Sequence, residues 1–205
     1  MKLEKRDYDA IVVGSGPNGL AAAILLQQKG LSVLLLEGKD TIGGGMRSAE
    51  LTLPGFIHDI CSAIHPLAAG SPYFQTLPLT NYGLEYIHPE IAAAHPFDNG
   101  KAAVLKQSLD DTAALLGEDT AAYQNLMRPM VNYWPSIAPD VLGPLHFPKH
   151  PLAMAKFGLT ALRSALAVAG RFKTEGAKGF FAGMGAHAMQ PLTTLTTAAA
   201  GLVLM

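Results

Sequence analysis

Six residues near the start of this 205-residue chain combine three glycines at a spacing that suits contact with phosphate. The segment is Gly14-Ser15-Gly16-Pro17-Asn18-Gly19. The first glycine permits a tight turn, the middle one lets the main chain approach a pyrophosphate, and the last lets a helix and a strand pack closely. Because glycine turns with this spacing also arise by chance, the flanking elements must decide between a binding loop and a plain turn.

The flanking residues predict a βαβ unit around this turn. Asp9 to Val13 is predicted as a short buried strand, Leu20 to Lys29 as a helix, and Ser32 to Leu36 as a second buried strand. The second strand ends on Glu37, about 20 residues past the middle glycine, where an acidic residue can accept hydrogen bonds from the ribose hydroxyls of an adenosine. The helix N-terminus would face the phosphates of the same ligand.

A second glycine-rich loop follows Glu37 and suggests which dinucleotide is bound. Thr41 to Ser48 contains three consecutive glycines and then Met46 and Arg47. Such a run lets the main chain pass close to an extended ligand, and Arg47 adds a cation suited to a phosphate or a flavin edge. An NAD domain has no need of this loop, so we predict FAD. The alternative is a flexible hairpin.

Residues 8–74 resemble the N-terminus of the phytoene-desaturase-like FAD-dependent oxidoreductases, within the amine-oxidase-like flavoprotein superfamily. The resemblance is carried by Val12 to Leu20, Glu37 to Ser48, Pro54 to Asp59 and Cys61 to Pro66. It implies that the glycine turn, the acidic residue and the paired glycines hold FAD, and that Ser62 to His65 passes near the isoalloxazine. Many such proteins place Arg directly after the paired glycines, where this chain has Gly45.

The resemblance gives one set of expected cofactor-binding residues and leaves the catalytic residues unassigned. The expected set is Gly14, Ser15, Gly16, Pro17, Asn18, Gly19, Glu37, Gly38, Lys39, Gly43, Gly44, Gly45, Met46, Arg47, Ser62 and His65. It implies a dehydrogenase or desaturase that moves a hydride from a small hydrophobic substrate to flavin. The alternatives are an amine-oxidase-like flavoenzyme, a non-catalytic dinucleotide-binding fragment and an NAD-only dehydrogenase. No oligomeric state is favoured.

Composition excludes several other classes of function. The chain is 49% hydrophobic and 15% charged, with 15 basic and 16 acidic residues, so nothing favours a nucleic-acid partner. A single cysteine, Cys61, excludes an intramolecular disulfide, and the charged stretch from Met1 to Asp7 is not followed by a signal-peptide pattern. We therefore expect a cytoplasmic protein.

The spacing of the seven histidines does not predict a metal site. They occur as three loose pairs and a single residue, at His58, His65, His88, His95, His146, His150 and His187. Cys61 lies between the first two, yet no nucleophile motif surrounds it, so we predict a buried structural cysteine.

The predicted fold class is α/β: a Rossmann-like FAD-binding βαβ unit with an inserted α+β substrate-side region. We expect residues 1–80 to belong to the FAD-binding domain and residues 81–205 to begin the substrate or cap region. Short strands are predicted at Leu84 to Ile87, Ile91 to His95 and Lys101 to Leu105, the last two joined by a turn at Asn99-Gly100. Helices are predicted to begin at Ser108 and near Glu118.

The stretch from Pro151 to Phe172 is predicted as one long apolar helix. Lys156, Arg163 and Arg171 recur along it at intervals of seven and eight residues, on one face. Such a helix suits peripheral contact with a membrane surface or the wall of a hydrophobic tunnel, and the alternative is an ordinary packing helix. The cations interrupt the run, so it is not expected to span a bilayer.

Two further features lie near the end of the sequence. Gly179 to His187 resembles a stretch that precedes a cavity-lining helix. Its His187 is expected either to orient substrate or donate to a flavin carbonyl, or to be buried as a core histidine. Ala198 to Met205 is apolar up to the last residue, and the resembling enzymes continue much further. We therefore expect the chain to be the N-terminal part of a longer flavoenzyme, truncated at its C-terminus.

Overall fold

The computed structural model describes residues 7–205, so the first six residues of the charged N-terminal stretch lie outside the described part. The chain divides into two compact units, one reaching to Ala69 and the other running from Gly70 to Met205. The predicted functional division into residues 1–80 and 81–205 stays a prediction.

The first unit is built on a parallel βαβ arrangement, as predicted. The prediction that its strands are buried is wrong, because Ile11 and Val13 are 61% and 81% exposed in this two-stranded sheet. Strand β1 (Ala10–Val13) pairs in parallel with β2 (Val33–Leu36), and helix α1 (Pro17–Gln28) connects them. Asp9 and Ser32 connect the two strands where they begin. The Asp9 carboxylate accepts hydrogen bonds of 2.8 Å from both the amide and the hydroxyl of Ser32. The two strands therefore end side by side at the glycine turn.

An antiparallel pair completes the first unit. Strand β3 (Ser48–Glu50) pairs with β4 (Ile57–Asp59), and a 3-10 turn at Gly44–Met46 precedes the first of them. The pairing continues past the strand ends, since the Ile60 and Ser62 amides each donate a 2.9 Å hydrogen bond to backbone carbonyls of the opposite segment. A short helix, α2 (Pro66–Ala69), ends the unit.

The second unit begins with 3-10 turns and an antiparallel hairpin. The turns lie at Phe74–Thr76 and Leu79–Tyr82, and β5 (Ile91–Pro96) pairs with β6 (Ala102–Lys106). The turn at Asn99-Gly100 is confirmed: Gly100 has a left-handed φ of 75°, which only glycine adopts without strain.

The predicted strand at Leu84 to Ile87 is wrong. In this described segment the chain is irregular up to Pro89. A strand needs a hydrogen-bonded neighbour, and within residues 7–205 the hairpin strands β5 and β6 pair with each other. No strand of the described residues therefore pairs with this segment.

Six helices follow the hairpin. They are α3 (Leu109–Ala114), α4 (Thr120–Val141), α5 (Pro151–Ala161), α6 (Ala165–Ala169), α7 (Glu175–Gly185) and α8 (Thr197–Leu204), with 3-10 turns at Gly117–Asp119 and Ala186–Ala188. The predicted N-cap is confirmed, since the Ser108 hydroxyl accepts a 3.1 Å hydrogen bond from the Asp111 amide. The second predicted start, near Glu118, lies in the 3-10 turn that leads into α4.

The predicted single helix from Pro151 to Phe172 is wrong, because the chain breaks between α5 and α6. Backbone carbonyls at Leu162 and Arg163 accept hydrogen bonds from the amides of Thr196 and Ala198 rather than continuing a helix. Ser164 then caps a new helix through its hydroxyl. The three cations of this stretch consequently do not share one helical face.

Helix α7 occupies the centre of the second unit. Phe180 and Phe181 are 1% and 0% exposed, and α7 packs against α6, α8 and the hairpin. Gly179 and Gly183 allow the hairpin to approach, because a Cβ at either position would lie 2.6 Å from Phe97 or 2.3 Å from His95. The stretch predicted to precede a helix is thus itself a core helix, and the exposed His187 just after it is not the predicted core histidine.

No helix within residues 7–205 is both long and apolar enough to cross a membrane.

Candidate cofactor-binding site

The predicted glycine turn lies between β1 and α1 and has the backbone that the spacing requires. Gly14 adopts a left-handed φ of 96°, and its amide donates a 2.7 Å hydrogen bond to the carbonyl of Leu36. A Cβ at Gly19 would lie 1.9 Å from the Gly14 carbonyl oxygen. The first and last glycines are therefore needed for the turn itself and for the contact between helix and strand.

The middle glycine has a different role. Gly16 is extended, with φ −68° and ψ 175°, and the nearest atom to an added Cβ would be 3.9 Å away. Nothing in the protein itself requires glycine at this position. Its missing side chain leaves the backbone at the start of α1 open to a close ligand.

The N-terminus of α1 has the features of an anion site. Pro17 occupies the first helical turn, no side chain caps the helix, and no acidic residue lies in its first turn. Amides at a helix start point outward and carry partial positive charge. The amides that follow Pro17, at Asn18 and Gly19, are therefore placed to receive a phosphate.

Glu37 lies at the end of β2 with its carboxylate held by Ser15. One carboxylate oxygen accepts hydrogen bonds from the Ser15 amide at 2.9 Å and from its hydroxyl at 2.5 Å, and the other accepts from the Lys39 amide at 3.0 Å. The Ser15 hydroxyl, followed by its amide, lowers the pKa of Glu37 to about 2. The acid predicted to meet a ribose is thus fixed in place and ionised.

The second glycine loop packs directly on the first. The Gly43 amide donates a 3.0 Å hydrogen bond to the Ser15 carbonyl, and a Cβ at Gly44 would lie 2.8 Å from the Cα of Gly16. The two loops therefore form one continuous backbone surface. Arg47 turns back onto its own loop, where its Nε donates a 2.8 Å hydrogen bond to the Gly44 carbonyl.

Ser62 joins the same surface, whereas His65 is placed further along the chain. The Ser62 hydroxyl would lie 3.8 Å from a Cβ on Gly45, and its amide donates to the Gly45 carbonyl. His65 immediately precedes α2 and accepts through its carbonyl from the Ala69 amide. Cys61 is exposed, so its prediction as a buried structural cysteine is wrong.

These residues fit the adenosine and pyrophosphate parts of FAD. The turn, the helix start and the fixed carboxylate lie next to one another, and the second loop extends the glycine surface. Sequence reasoning identified these residues but missed the hydrogen bonds between Ser15 and Glu37. A hydroxyl side chain between two glycines, followed later by an acid at a strand end, is the pattern that would have indicated them.

Comparisons with known proteins agree with this geometry. The model of a family described as NAD(P)-binding Rossmann-like domain matches residues 12–77. Pyridine nucleotide-disulfide oxidoreductase domain-containing protein 2 of Mus musculus is 34% identical over 122 residues, which cover 58% of this chain and 20% of that protein. A limonene dehydrogenase subunit of Castellaniella defragrans is 24% identical over 163 residues, covering 80% of this chain and 29% of that protein.

A solved structure extends the likeness to the second unit. A variant of putrescine oxidase matches with a TM-score of 0.55 at 22% identity, over 94% of this chain and 40% of its own. The chain therefore has a Rossmann-like α/β fold, which it shares with this oxidase structure. It spans 40% of the length of the putrescine oxidase chain and less than a third of the two curated relatives.

Proposed function

We propose that this chain provides the dinucleotide-binding part of an FAD-dependent dehydrogenase or desaturase that acts on an apolar substrate. The observation that carries the proposal is the pair of glycine loops packed on each other beside the fixed carboxylate of Glu37. When bound, FAD supplies the acceptor for a hydride taken from a saturated carbon of the substrate. The chain's own residues bind and orient that cofactor.

Each part of the site has a separate task in this proposal. The α1 N-terminus and the backbone at Gly16 receive the pyrophosphate, where peptide dipoles stabilise its charge. Glu37 accepts hydrogen bonds from the ribose hydroxyls, and its charge disfavours a nucleotide that carries a 2′-phosphate. The loop from Gly43 to Met46 lets the main chain follow the ligand beyond the adenosine.

The curated relatives support the reaction class through their names. Two are called an oxidoreductase domain-containing protein and a limonene dehydrogenase subunit, and the latter is matched over 80% of this chain. A dehydrogenase of a hydrocarbon must oxidise a carbon bond that no side chain can activate by proton transfer alone. The proposal therefore assigns only cofactor-binding residues to this chain.

The proposal is tested by titrating the purified chain with FAD, ADP and NADH. Flavin fluorescence and calorimetry measure binding, and each ligand is also removed by gel filtration to measure retention. We expect FAD to bind more tightly than NADH and ADP to compete with it. The Gly16→Ala variant places a methyl group where the pyrophosphate passes, so FAD affinity falls by at least about tenfold while the fold is retained.

Gly158→Ala is the matched control, because an added Cβ there meets nothing within 4 Å and the residue lies in the second unit. Equal loss of affinity in both variants would contradict the assigned site. Preferential binding of NADH would favour an NAD-only dehydrogenase. Binding of ADP and FAD with equal affinity, with no change in the flavin spectrum, would favour a non-catalytic nucleotide-binding module.

A further inference from the structure

A cleft of about 260 Å³ lies in the second unit, between α4, α5 and the segment that follows α6. Since a water takes about 30 Å³ in the liquid, the cleft has the volume of roughly nine waters. That is room for one ring or a short chain. It is lined on α4 by Asn125, Leu126 and Met130, on α5 by Thr160, and after α6 by Arg171 and Phe172, and we name it the Arg171 cleft.

The floor of the Arg171 cleft is apolar and belongs to the core of the unit. Leu126, Met130 and Phe172 are all buried, with at most 9% of each exposed. The Phe172 ring packs on Phe181 with 6.2 Å between the ring centroids, and Phe181 is fully buried. A hydrocarbon group placed on this floor therefore gains contact with a fixed apolar surface.

The polar side chains of the Arg171 cleft are unpaired. Within residues 7–205, no hydrogen bond or ion pair joins the side chains of Asn125, Thr160 or Arg171 to another residue. Together they offer a guanidinium group, a carboxamide and a hydroxyl, all of which can donate hydrogen bonds. An apolar floor with a few convergent donors is the usual composition of a small-molecule site.

A second cavity on α4, of about 290 Å³, shows what is missing at Arg171. The two cavities share Asn125 and Pro129 in their lining, and the second one also contains an arginine, Arg128. Arg128, however, forms an ion pair with Asp110. Arg171 has no such carboxylate among the described residues, although it lies beside a cavity of similar size.

The sequence around the Arg171 cleft supplies no carboxylate either. Residues 120–139 and 141–174, which include every residue that lines the cleft, contain no Asp or Glu. The acids that border these ranges, Asp119 and Asp140, accept hydrogen bonds from other described residues. The charge of Arg171 is therefore available to an anionic ligand.

We propose that the Arg171 cleft binds a small apolar carboxylate, with its hydrocarbon part on Met130 and Phe172 and its carboxylate at Arg171. A guanidinium group matches the geometry of a carboxylate, because two parallel N–H groups meet its two oxygens. One cation balances the single charge of a carboxylate, whereas a phosphate carries more charge and no apolar part. The residues of this cleft all lie in the second unit, so the proposal is independent of the cofactor site in the first.

The test is a titration of the full 205-residue chain with benzoate, followed by NMR of labelled methionine methyl groups. We expect a saturable shift of the Met130 methyl signal with a Kd of about 1 mM or below. The methyl signal of Met184, which is buried in α7, should stay in place. Benzamide keeps the ring without the charge and acetate keeps the charge without the ring, so each should bind at least about fivefold more weakly.

Substitutions at the polar side chains test the proposed contacts. Arg171→Gln removes the charge and should weaken benzoate binding at least about tenfold, whereas Arg171→Lys, which keeps the charge but not the planar fork, should lie between it and the parent. Thr160→Val keeps the shape and removes the hydroxyl, with an expected loss of about threefold. Arg163→Gln is the matched control, because Arg163 is an exposed arginine of the same unit outside the cleft lining.

Four results would overturn the proposal. Benzoate could leave the Met130 signal unchanged, benzamide could bind as tightly as benzoate, or Arg171→Gln and Arg163→Gln could lose affinity equally. Inorganic phosphate could also displace benzoate at equal or lower concentration, which would make this a plain anion site. Circular dichroism confirms that each variant is folded, and unchanged FAD binding by Arg171→Gln keeps this test separate from that of the proposed function.

Discussion

Ser15 and Glu37 are the two side chains whose contact defines the candidate cofactor site at the scale of single residues. Ser15 is fully buried and donates through both its amide and its hydroxyl to one oxygen of the carboxylate. This leaves the other oxygen facing the Lys39 amide and the region where a ribose is expected. The serine therefore orients the acid that the proposed function needs.

Replacing Ser15 by Ala is expected to raise the pKa of Glu37. The Ser15 hydroxyl is the largest of the causes that lower this pKa to about 2, and the hydrogen bond from the Ser15 amide remains in the variant. Because a lowered pKa means that the carboxylate form is favoured, the wild-type site stays ionised as pH falls well below the ordinary value of 4.5. Carboxyl-carbon NMR titration of Glu37 measures the change.

Ser32→Ala provides the control at an equivalent pair. Asp9 accepts hydrogen bonds from the Ser32 amide and hydroxyl, which lower the pKa of Asp9. This variant should raise the pKa of Asp9 and leave that of Glu37 unchanged. An unaltered Glu37 titration in Ser15→Ala would show that the hydroxyl does not hold the carboxylate.

The residues of the site could be predicted from sequence, but their mutual contacts could not. The glycines and Glu37 follow from spacing, because each fulfils a local requirement of the turn or of the strand end. The bond between Ser15 and Glu37 joins positions 22 apart and depends on how far β2 extends beside β1. Cys61 was likewise mispredicted, since its exposure is set by the fold of β3 and β4 around it.

At the scale of elements, the last glycine of the turn controls how α1 packs on β1. Gly19→Ala is expected to destabilise the first unit by about 1–3 kcal/mol, because the new Cβ would overlap the Gly14 carbonyl. Hydrogen exchange at the β1 amides measures this, since the single Trp of the chain, Trp134, lies in the other unit.

Gly16→Ala is the comparison for that measurement. Its Cβ has no neighbour closer than 3.9 Å and its φ is −68°, so β1 exchange should stay near the parent rate. Equal acceleration of exchange in both variants would mean that the close approach at Gly19 does not hold the helix. Within one motif, Gly19 is thus needed for packing, whereas Gly16 is proposed to bind the ligand.

Helix boundaries show what sequence periodicity does and does not specify. The cap at Ser108 was predictable because its partner, Asp111, is three residues away. The break between α5 and α6 was not predictable, because the partner of the first α6 amide comes from a distant segment. The Thr197 hydroxyl accepts a 2.8 Å hydrogen bond from the Ala165 amide. Local patterns predict local hydrogen bonds, and contacts from a distant segment override them.

At the scale of the second unit as a whole, one buried carboxylate joins distant parts of the chain. Asp119 is 1% exposed and accepts hydrogen bonds from the Lys173 amide at 2.8 Å and from the Thr174 amide and hydroxyl at 2.7 Å. It thereby ties the start of α4 to the start of α7. Burial raises its pKa, but these hydrogen bonds together outweigh burial and lower it.

Asp119→Asn is expected to destabilise this unit by about 1.5–3 kcal/mol, because an amide group would meet donors that need an acceptor. Urea unfolding followed by the fluorescence of Trp134 measures the loss. Since the folded pKa is below the unfolded one, the contribution of Asp119 is present above the unfolded pKa and is lost as pH falls through the folded value. Asp110→Asn, which removes an exposed partner of Arg128, should destabilise the unit less than Asp119→Asn does.

Two histidines of the same unit are expected to couple stability to pH with opposite signs. The ring of His95 packs against Gly183 and edge-on to Phe180 at 5.6 Å, and its buried Nδ1 has no hydrogen-bond partner in the described structure. Burial, followed by the charge of His187, lowers the pKa of His95. The hydrogen bond to the Pro144 carbonyl, followed by that to Asp140, raises the pKa of His146.

The sign of each effect follows from linkage. A lowered folded pKa means that the unfolded state binds the proton first, so His95 reduces stability as pH falls from its ordinary value near 6.5. A raised folded pKa means that His146 contributes stability below its unfolded pKa, and this contribution is lost as pH rises through the folded value. In the parent chain the two contributions oppose each other.

Single substitutions separate the two histidines. His146→Asn removes the stabilising group, so its urea midpoint should fall between pH 7.5 and 5.5 more steeply than that of the parent chain. His95→Phe keeps an aromatic ring against α7 without a titrating nitrogen, so its midpoint should rise over the same interval. If both variants changed in the same direction, the hairpin contact of His95 would not depend on a neutral ring, because the pKa of Asp119 is lowered from 3.8 and this carboxylate does not titrate over the interval.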